Sequence, residues 1–500
     1  MHTRPIRIAW DNSLAGRNRT GSGIYARRLL EELSRRCDVQ IQVFTGHNLT
    51  RDKQGLGTAA ARNLVSLYWN NVVFPYQLRT HRFDLVHSPA FVLPLYCPIP
   101  SVVTVHDLTF RLFPEHFGRR WRIYMDWVLP LALRSASAVL CGSEHTKADL
   151  LKTYKTQPEK VCVTHYGVDH HTFRPGAHFD GSYALNLGLS KPYVLHVGEF
   201  SPRKNIPVLL RALAESRSRG RFEGMQLLLV GPSSGGKSVT EIRETVRNLD
   251  LQDIVVFAGH VPADVLPGLY ANARVVVMPS LYEGFGFPIV EGMASGVPVV
   301  TSNSSSMSEI AGDAALLVTP GDQSALAEAI EQVLHDQPLA GELRRRGLAR
   351  AAQFNWNGTA AHFLNGMRER NRATPVGEWI PVPYNAGMFV GVGGTWTVPA
   401  GNIGDHKYML FGKTLVYKFM SDGFTIGGGT TALRVSLPSG FTAASYTTIP
   451  GIMYNNATTS YEMSHVQAPG GATYVQIQRT AGPLSGIIIS AYFFIAIDVT

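Results

Sequence analysis

Short apolar runs rich in β-branched residues alternate with helical patterns through the first part of the chain. Helical patterns at Ile24–Arg35 and Trp121–Ser135 separate several of these runs. Alternation of strands and helices favours a parallel sheet that is covered by helices on both faces. The predicted strands are Ile6–Trp10, Val39–Phe44, Asp84–His87, Ser101–His106 and Ala138–Cys141.

A second series of the same kind follows, after the pattern loosens over Val163–Pro175. We therefore expect an α/β fold with two Rossmann-like domains, at residues 1–175 and 176–372, which face a cleft. The predicted strands are Tyr193–Val197, Gln226–Val230, Ile254–Ala258, Arg274–Met278, Val297–Thr301 and Ala315–Val318. The predicted helices are Ile206–Glu215, Val239–Asp250, Pro288–Ala294, Ser324–His335 and Trp356–Arg370.

The composition changes from Ala373 onward, where Gly, Thr, Ser, Tyr and Val dominate and helical periodicity ends. Short strands separated by Gly- and Pro-containing turns predict an all-β sandwich or jelly roll over residues 373–500. Thr395–Pro399 and Phe411–Thr414 resemble jelly-roll heads of phage tail proteins and trimeric TNF-like domains. That resemblance implies a homotrimer, while glycan binding or an accessory wall to the cleft are the alternatives.

Charge and cysteine content narrow the class of protein. The first 375 residues carry the whole net charge of +9. Such a basic region could bind anionic substrates or an anionic membrane face. Alternatively, the charge serves only to keep the protein soluble. The four cysteines are scattered, which is typical of a reducing compartment. We expect a cytoplasmic protein without a signal peptide or membrane span, and we expect no nucleic-acid partner.

Two glutamates, Glu283 and Glu291, bracket a predicted helix start in the stretch EGFGFPIVE. The free backbone N–H groups of a helix start bind anions, and the glycines let a ligand approach the backbone. Carboxylates on both sides require a ligand that also carries hydroxyls or positive charge. A nucleotide sugar meets this requirement, since it has a diphosphate, ribose hydroxyls and a sugar that develops positive charge.

Arg203 and Lys204 form a second candidate site just before the predicted helix at Ile206. Two cations beside the positive end of a helix dipole repel each other and the dipole, and an anion would relieve that repulsion. Asn205 is expected to cap the helix. The alternative is that both cations project into solvent.

Two further candidates are weaker. Gly23 lies in the sequence TGSGIY between the first strand and helix, where either a ligand-binding loop or a plain tight turn fits. His106 ends a strand that points at the cleft and could bind a sugar hydroxyl, although such a histidine is more often structural. Ser143 is expected to cap the following helix.

These stretches together resemble the retaining glycosyltransferases of family 4, which have the GT-B fold. The matching segments, in order, are Val197–Gly198 with Pro202–Asn205, Tyr282–Pro288 with Glu291–Ala294, Gly296–Val300 and Gly312–Ala315. The resemblance implies that the Trp356–Arg370 helix crosses back to the first domain. By resemblance, Arg203, Lys204 and Gly23 bind the diphosphate of the donor, and Glu291 binds its ribose. Glu283 and His106 contact the transferred sugar. Gly284, Phe285 and Gly286, in the loop between Glu283 and Glu291, also bind the donor.

The run Phe287–Ala294, together with Ser302–Glu309, resembles bacterial mannosyltransferases of surface-polysaccharide assembly. It implies GDP-mannose as donor and a glycan or lipid-linked acceptor. No Asp-x-Asp occurs in the sequence, so we expect no metal and no other cofactor, with the cations replacing a metal clamp. Front-side attack assisted by the leaving phosphate is our hypothesis for retention. A covalent adduct on Glu283 would contradict it.

Two alternatives compete with this assignment. Gly231–Ser238 matches the P-loop pattern, but no later strand ends in an Asp for magnesium, which argues against ATP hydrolysis. The protein could also be a non-catalytic glycan-binding or trimeric structural protein whose β domain carries the function. The mixed aromatic and basic segment Arg119–Ser135 could contact an anionic membrane peripherally, or simply pack on the sheet.

Overall fold

The structure is a computed structural model that describes residues 4–13, 21–45, 69–94, 97–232 and 237–373, and the strands between residues 380 and 498. The chain divides into two compact units, Met1–Arg368 and Glu369–Thr500. The first unit contains two α/β lobes.

The first lobe is built on a six-stranded parallel sheet with the strand order β2-β1-β3-β4-β5-β6. The central strands are buried on both faces, as expected when helices cover a parallel sheet. The elements are β1 (Ile6–Asp11), α1 (Gly21–Ser34), β2 (Val39–Phe44), α2 (Phe74–Thr80), β3 (Leu85–Ser88), β4 (Ser101–Val105), α3 (Thr109–Leu112), α4 (Arg119–Ser135), β5 (Ala138–Cys141), α5 (Glu144–Tyr154) and β6 (Val161–Val163).

The second lobe repeats this plan, with six parallel strands in the order β12-β11-β10-β7-β8-β9. The elements are α6 (Gly181–Asn186), β7 (Tyr193–Val197), α7 (Ile206–Ser218), β8 (Gln226–Val230), α8 (Lys237–Asn248), β9 (Val255–Gly259), α9 (Leu266–Ala271), β10 (Val275–Met278), α10 (Phe287–Ala294), β11 (Val299–Ser302), α11 (Ser305–Ala311), β12 (Leu316–Val318), α12 (Gln323–His335), α13 (Gln337–Ala351) and α14 (Trp356–Ala373).

The two sheets confirm the prediction of two Rossmann-like parallel α/β domains. Strand β6 escaped the sequence analysis because it is only three residues long, lies at the sheet edge and is only partly buried. Several helix starts follow local sequence: Ser143 accepts a hydrogen bond from the Thr146 N–H at α5, and Asp322 and Asp336 cap α12 and α13 in the same way.

Aromatic side chains from both lobes share one hydrophobic core. Tyr166, which follows β6, lies 4.9 Å from Phe285 and 5.7 Å from Phe287 between ring centroids. Phe287 in turn stacks on Trp356 at the start of α14. Burying apolar area stabilises by about 25 cal/mol per Å², so these rings hold the lobes together.

Helix α14 begins against the first lobe. The Val168 N–H donates to the Phe354 carbonyl at 3.1 Å, and the Thr359 hydroxyl donates to the His165 carbonyl at 2.9 Å. Further along α14, Phe363 lies 5.0 Å from the buried ring of His87. The chain therefore leaves the second lobe and packs on the first.

The second unit contains strands whose pairings are all antiparallel among the residues described there. The sandwich or jelly roll predicted for this region stays a prediction. The strands are β13 (Ile380–Pro381), β14 (Phe389–Val392), β15 (Trp396–Thr397), β16 (Ile403–Phe411), β17 (Thr414–Thr430), β18 (Ala432–Ser436), β19 (Thr447–Asn455), β20 (Ser460–Ala468), β21 (Tyr474–Arg479) and β22 (Leu484–Asp498).

Gly167 is expected to tolerate no side chain. A Cβ there would lie 2.3 Å from the backbone nitrogen of Trp356, so the chain crossing between the lobes would have to move. We expect Gly167→Ala to destabilise the protein by roughly 1–3 kcal/mol, as overpacking does. The measurement is the urea midpoint of the full chain.

The matched control is Gly341→Ala. This glycine is exposed within α13, and nothing lies within 4 Å of the Cβ that alanine would add. Alanine should therefore stabilise α13 by roughly 0.5–1 kcal/mol, since glycine is the poorer helix former. Equal effects of the two substitutions would contradict the close approach at Gly167.

Candidate active site

Glu283 lies in the loop between β10 and α10, and its carboxylate is held by two cations. Arg203 Nη1 lies 2.7 Å from Oε2, and Lys204 Nζ lies 2.7 Å from Oε1. Lys204 and Glu283 are buried, while the Arg203 side chain is partly exposed. The structure thus brings three predicted site residues together, from two loops at the carboxyl edge of the second sheet.

The charges of this cluster do not cancel, because two cations face one carboxylate. Burial opposes ionisation of Glu283, yet Arg203 and Lys204 overcome it and lower its pKa to about 2. Burial lowers the pKa of Lys204 against the opposing attraction of Glu283, whereas Glu283 raises the pKa of Arg203. These three side chains together carry one net positive charge, and the carboxylates of Asp107 and Glu199 also act on Arg203.

Hydrogen bonds fix the Glu283 loop from both sides. The Leu281 N–H donates to the Arg203 carbonyl at 2.7 Å, which joins the two loops through their backbones. The Glu283 N–H donates to the Ser305 hydroxyl at 2.9 Å, and the Ser306 hydroxyl donates to the Glu283 carbonyl at 2.8 Å. The carboxylate is therefore positioned by the start of α11 as well as by its ion pairs.

Glu291 lies one turn into α10 and is also buried. Burial raises its pKa to about 7, against the opposing effects of the Tyr270 hydrogen bond and the Lys204 charge. The Tyr270 hydroxyl donates to Glu291 Oε2 at 2.8 Å. The two glutamates thus differ sharply: Glu283 is ionised in all ordinary buffers, and Glu291 titrates near neutral pH.

The glycine-rich loop lies against the first lobe. Gly286 precedes α10 with a φ of 101°, a left-handed conformation that glycine adopts without strain. A Cβ on Gly284 would lie 2.1 Å from the His106 carbonyl oxygen, so this position requires glycine. Phe285 is buried among aromatic rings, so its side chain has a packing role here.

The start of α1 meets the start of α10. A Cβ on Gly21 would lie 3.3 Å from the Phe287 ring, and Gly23 is buried two residues further along α1. Two helix N-termini from different lobes therefore converge at the glycine-rich loop. Converging N-termini concentrate backbone N–H groups and positive dipole ends at one place.

His106 has both ring nitrogens occupied in this structure. Nε2 lies 2.7 Å from the Pro89 carbonyl, which can only accept, so Nε2 carries the proton. Nδ1 then accepts from the Tyr166 hydroxyl at 2.8 Å. Burial lowers the pKa of His106 to about 4, so the ring is neutral at pH 7. The two hydrogen bonds of His106 therefore stabilise the junction of the lobes. To contact a sugar, His106 would have to break one of these hydrogen bonds.

Asn205 departs from its predicted role. It occupies the N-cap position of α7 in the left-handed conformation, with a φ of 54°, and its side chain makes no capping hydrogen bond. In that conformation the residue turns the chain between the Pro202–Lys204 3₁₀ turn and α7. The alternative that both neighbouring cations project into solvent is also wrong, because Lys204 is buried against Glu283.

Glu309 makes a contact between the lobes that sequence reasoning missed. From α11 its carboxylate accepts hydrogen bonds from the Glu144 and His145 N–H groups at the start of α5, at 2.9 and 3.2 Å. His165 Nε2 lies 2.7 Å from the same carboxylate. Burial by itself would raise the pKa of Glu309, but these hydrogen bonds and the His165 contact outweigh burial and lower the pKa. A carboxylate from one lobe thus caps a helix of the other.

Three further hydrogen bonds join the same surfaces. The hydroxyls of Ser143 and Thr146 donate to the Gly284 carbonyl at 2.8 and 3.2 Å. The Tyr282 hydroxyl donates to Asp149 Oδ2 at 2.7 Å. The only sequence signal for these contacts was Ser143, whose predicted cap is present but which also bonds the glycine-rich loop.

Comparison with known proteins decides the family. Residues 19–172 match the family described as Glycosyltransferase Family 4, and residues 184–350 match Glycosyl transferases group 1. The O-antigen chain mannosyltransferase B of Escherichia coli is 32% identical over 295 residues, which cover 58% of this chain and 76% of that protein. The chain belongs to the group 1 and family 4 glycosyltransferases.

Other curated relatives of this glycosyltransferase carry different names. The O-antigen chain mannosyltransferase RfbU of Salmonella typhimurium is 26% identical over 64% of this chain and 89% of that protein. The D-inositol 3-phosphate glycosyltransferase of Corynebacterium diphtheriae is 29% identical over 72% of this chain and 91% of that protein. The similar proteins therefore include glycosyltransferases with different named activities.

Solved structures share the fold of this glycosyltransferase. Sucrose-phosphate synthase from Thermosynechococcus elongatus has a TM-score of 0.59 at 24% identity, covering 74% of this chain and all of that chain. HepE of Anabaena, in complex with UDP and glucose, has a TM-score of 0.55 at 20% identity, covering 73% of this chain and 100% of that one. Two parallel α/β lobes of this kind are typical of the GT-B fold.

Three structural findings concern metal binding, the P-loop-like segment and membrane spans. Within residues 4–13, 21–45, 69–94, 97–232 and 237–373, no three His, Cys, Asp or Glu side chains cluster so as to hold a metal ion. The centre of the P-loop-like segment, residues 233–236, lies outside the described residues. No helix in the part of the chain that the structure describes is long and apolar enough to cross a membrane.

Glu291 should make stability depend on pH near neutrality. A carboxyl group whose pKa is higher in the folded than in the unfolded protein stabilises the folded state at pH values below its unfolded pKa. That contribution is lost as the pH rises through the folded pKa. Relative to wild type, Glu291→Gln should therefore gain roughly 1–3 kcal/mol in unfolding free energy between pH 4.5 and 8. Denaturant unfolding at several pH values measures this.

The control is Glu328→Gln, at an exposed position on α12. It should leave the pH dependence of unfolding unchanged. Tyr270→Phe removes the hydrogen bond that favours the ionised form of Glu291, and it should shift the pH-dependent loss of stability upward. Parallel pH curves for wild type and Glu291→Gln would contradict the raised pKa.

Glu309→Ala should release the start of α5. We expect the amides of Glu144 and His145 to exchange hydrogen at least about tenfold faster, because each would lose its acceptor. Hydrogen exchange read by NMR or mass spectrometry measures the effect. Asp336→Ala removes a cap that lies within the second lobe and should leave exchange at Glu144 and His145 unchanged.

Proposed function

We propose that this glycosyltransferase transfers mannose from GDP-mannose to a glycan or lipid-linked acceptor of surface-polysaccharide synthesis, with retention of anomeric configuration. The observation that carries the proposal is the buried cluster of Arg203, Lys204 and Glu283 beside the start of α10. The similarity to O-antigen mannosyltransferases supports mannose, and nucleotide-sugar complexes of HepE support a nucleotide-sugar donor.

The proposed diphosphate position lies between the cations and the two converging helix starts. Cleavage of the sugar–phosphate bond places negative charge on the departing diphosphate and positive charge on the sugar ring. Arg203, Lys204 and the N–H groups of α10 would stabilise the diphosphate, and preorganised donors of this kind each contribute several kcal/mol. The net positive charge of the cluster supports this assignment.

Glu283 would act on the developing sugar cation as a fixed negative charge. Each of its oxygens lies 2.7 Å from a cation, which lowers its nucleophilicity and supports front-side attack over a covalent adduct. The acceptor hydroxyl would attack the anomeric carbon on the face that the diphosphate leaves, and its proton would pass to a phosphate oxygen. Glu291 would hold the ribose hydroxyls, with Tyr270 orienting its carboxyl group.

The remaining predictions complete the proposal. We place the protein in the cytoplasm, with no metal or other cofactor and no nucleic-acid partner. Residues 373–500 would form a sandwich or jelly roll and assemble a trimer. Light scattering of the full chain and of a variant ending at residue 375 tests the trimer, since only the full chain should have three times the chain mass.

A thermal-shift panel tests the donor. A ligand at 100 times its dissociation constant adds about 2.7 kcal/mol to the unfolding free energy. We expect GDP-mannose to raise the melting temperature more than GDP-glucose, UDP-glucose or GMP. A shift with oligosaccharides and none with nucleotide sugars would instead support a non-catalytic glycan-binding protein.

Variants of the cluster test the chemistry. We expect Lys204→Met to reduce hydrolysis of the donor by a factor of about 100 or more, because the diphosphate loses a buried cation. Arg211→Ala, at an exposed position on α7, should leave hydrolysis unchanged. The melting temperature of Lys204→Met without ligand checks that the variant is folded. NMR of the product determines the anomeric configuration of the transferred sugar.

A further inference from the structure

Helix α1 runs from the candidate site to the segment where the chain crosses between the lobes. At the start of α1, Gly21 lies close to the Phe287 ring at the start of α10. Two turns later, Arg28 Nη2 lies 2.8 Å from Oδ2 of Asp169, which belongs to the segment between β6 and α6. Both side chains are partly buried. Helix α1 therefore contacts the second lobe at one end and the crossing segment further along.

The Asp169 carboxylate also fixes a tight turn. Oδ1 accepts from the His171 N–H at 3.0 Å, and Oδ2 accepts from the Thr172 hydroxyl at 2.7 Å, as in an Asx turn. The Asp169 carbonyl accepts from the Phe173 N–H at 2.8 Å. Burial by itself would raise the pKa of Asp169, but the Thr172 hydrogen bond and the Arg28 charge outweigh burial and lower it. The ion pair therefore holds an ordered turn against α1.

Backbone contacts fix the residues just before this turn. The Val168 N–H donates to the Phe354 carbonyl at 3.1 Å, and His170 Nε2 lies 3.0 Å from the same carbonyl. The crossing segment is thus joined to the chain before α14 independently of Arg28. Removal of the ion pair should free the turn from α1 without undoing the crossing itself.

Phe173, at the end of the turn, packs on Tyr270 of α9. The ring centroids lie 5.5 Å apart, and the rings meet edge to face. Tyr270 is buried, and its hydroxyl donates to Glu291 Oε2 at 2.8 Å. Glu291 is the residue to which the proposed function assigns the ribose. A continuous series of contacts therefore runs from Arg28 on α1 to Glu291 on α10.

We propose that Arg28 is a positioning residue for ribose binding. Through its ion pair with Asp169 it holds the turn whose Phe173 supports the hydrogen bond between Tyr270 and Glu291. This inference rests on the proposed function, since it takes Glu291 as the ribose-binding residue. A carboxylate recognises a ribose by accepting hydrogen bonds from its hydroxyls. A nucleotide with those hydroxyls should therefore depend on the ion pair, and one without them should not.

Calorimetric titration of the full chain with GDP and with 2′,3′-dideoxy-GDP tests the inference. We expect Arg28→Gln to weaken GDP binding by about threefold or more, in the range typical of coupling through a chain of contacts. Binding of the dideoxy nucleotide should stay unchanged, because it has no ribose hydroxyls for Glu291 to bind. A merely structural role of Arg28 would weaken both ligands alike. Equal losses for the two ligands, or no loss for GDP, would overturn the inference.

Two further variants test the path of the coupling. Asp169→Asn should reproduce the selective loss, and its combination with Arg28→Gln should be no weaker than either single variant, because both remove the same ion pair. Phe173→Leu removes the ring that supports Tyr270 and should also weaken GDP selectively. Additive losses in the double variant would contradict the assignment of the effect to the ion pair.

The matched control is Arg35→Gln. It removes the same charge just past the end of α1, where Arg35 pairs with Glu32 of the same helix at 3.1 Å. This variant should bind both nucleotides like wild type.

The wild-type titrations separate this inference from the proposed function. Failure of GDP to bind wild type would contradict GDP-mannose as donor, and UDP with 2′,3′-dideoxy-UDP would then be the probes. A wild-type protein that binds neither GDP nor UDP overturns the proposed function and this inference together. Binding of GDP by wild type, with equal losses of both ligands in Arg28→Gln, overturns this inference alone.

Discussion

The shared carboxylate of Glu283 is the interaction on which the site depends. It joins the loop after β7, which carries Arg203 and Lys204, to the loop after β10. Burying a cation is costly without a partner, so Lys204 could not remain charged in its position if Glu283 were absent. The protein thus supplies its own anion where the sequence suggested that a ligand would be needed, and one positive charge remains.

The same loop is also the place where the lobes meet. Gly284 touches the His106 backbone, its carbonyl accepts from Ser143 and Thr146, and Phe285 packs on Tyr166. Since the Glu283 loop is part of the interface, movement of one lobe against the other would change the geometry of the candidate site directly. Glu309 adds a charged contact at the start of α5 that strengthens this arrangement.

The two glutamates show how environment separates identical side chains. Both are buried, but two cations adjoin Glu283, while a hydroxyl is the direct partner of Glu291. The pKa of one carboxyl therefore falls to about 2 and that of the other rises to about 7. One acts as a permanent charge, and the other can be neutral or ionised when it meets a ligand.

Sequence alone determined the two α/β lobes, since apolar strands and amphipathic helices are local patterns with fixed periods. It also indicated that Arg203, Lys204, Glu283 and Glu291 matter, because their spacing around helix starts is visible in the chain. Tertiary structure alone decided the partners: Lys204 with Glu283, His106 with Tyr166 and Pro89, and Glu309 with the start of α5. These pairs join residues far apart in sequence, and their contacts depend on how the sheets and lobes pack, which no local period encodes.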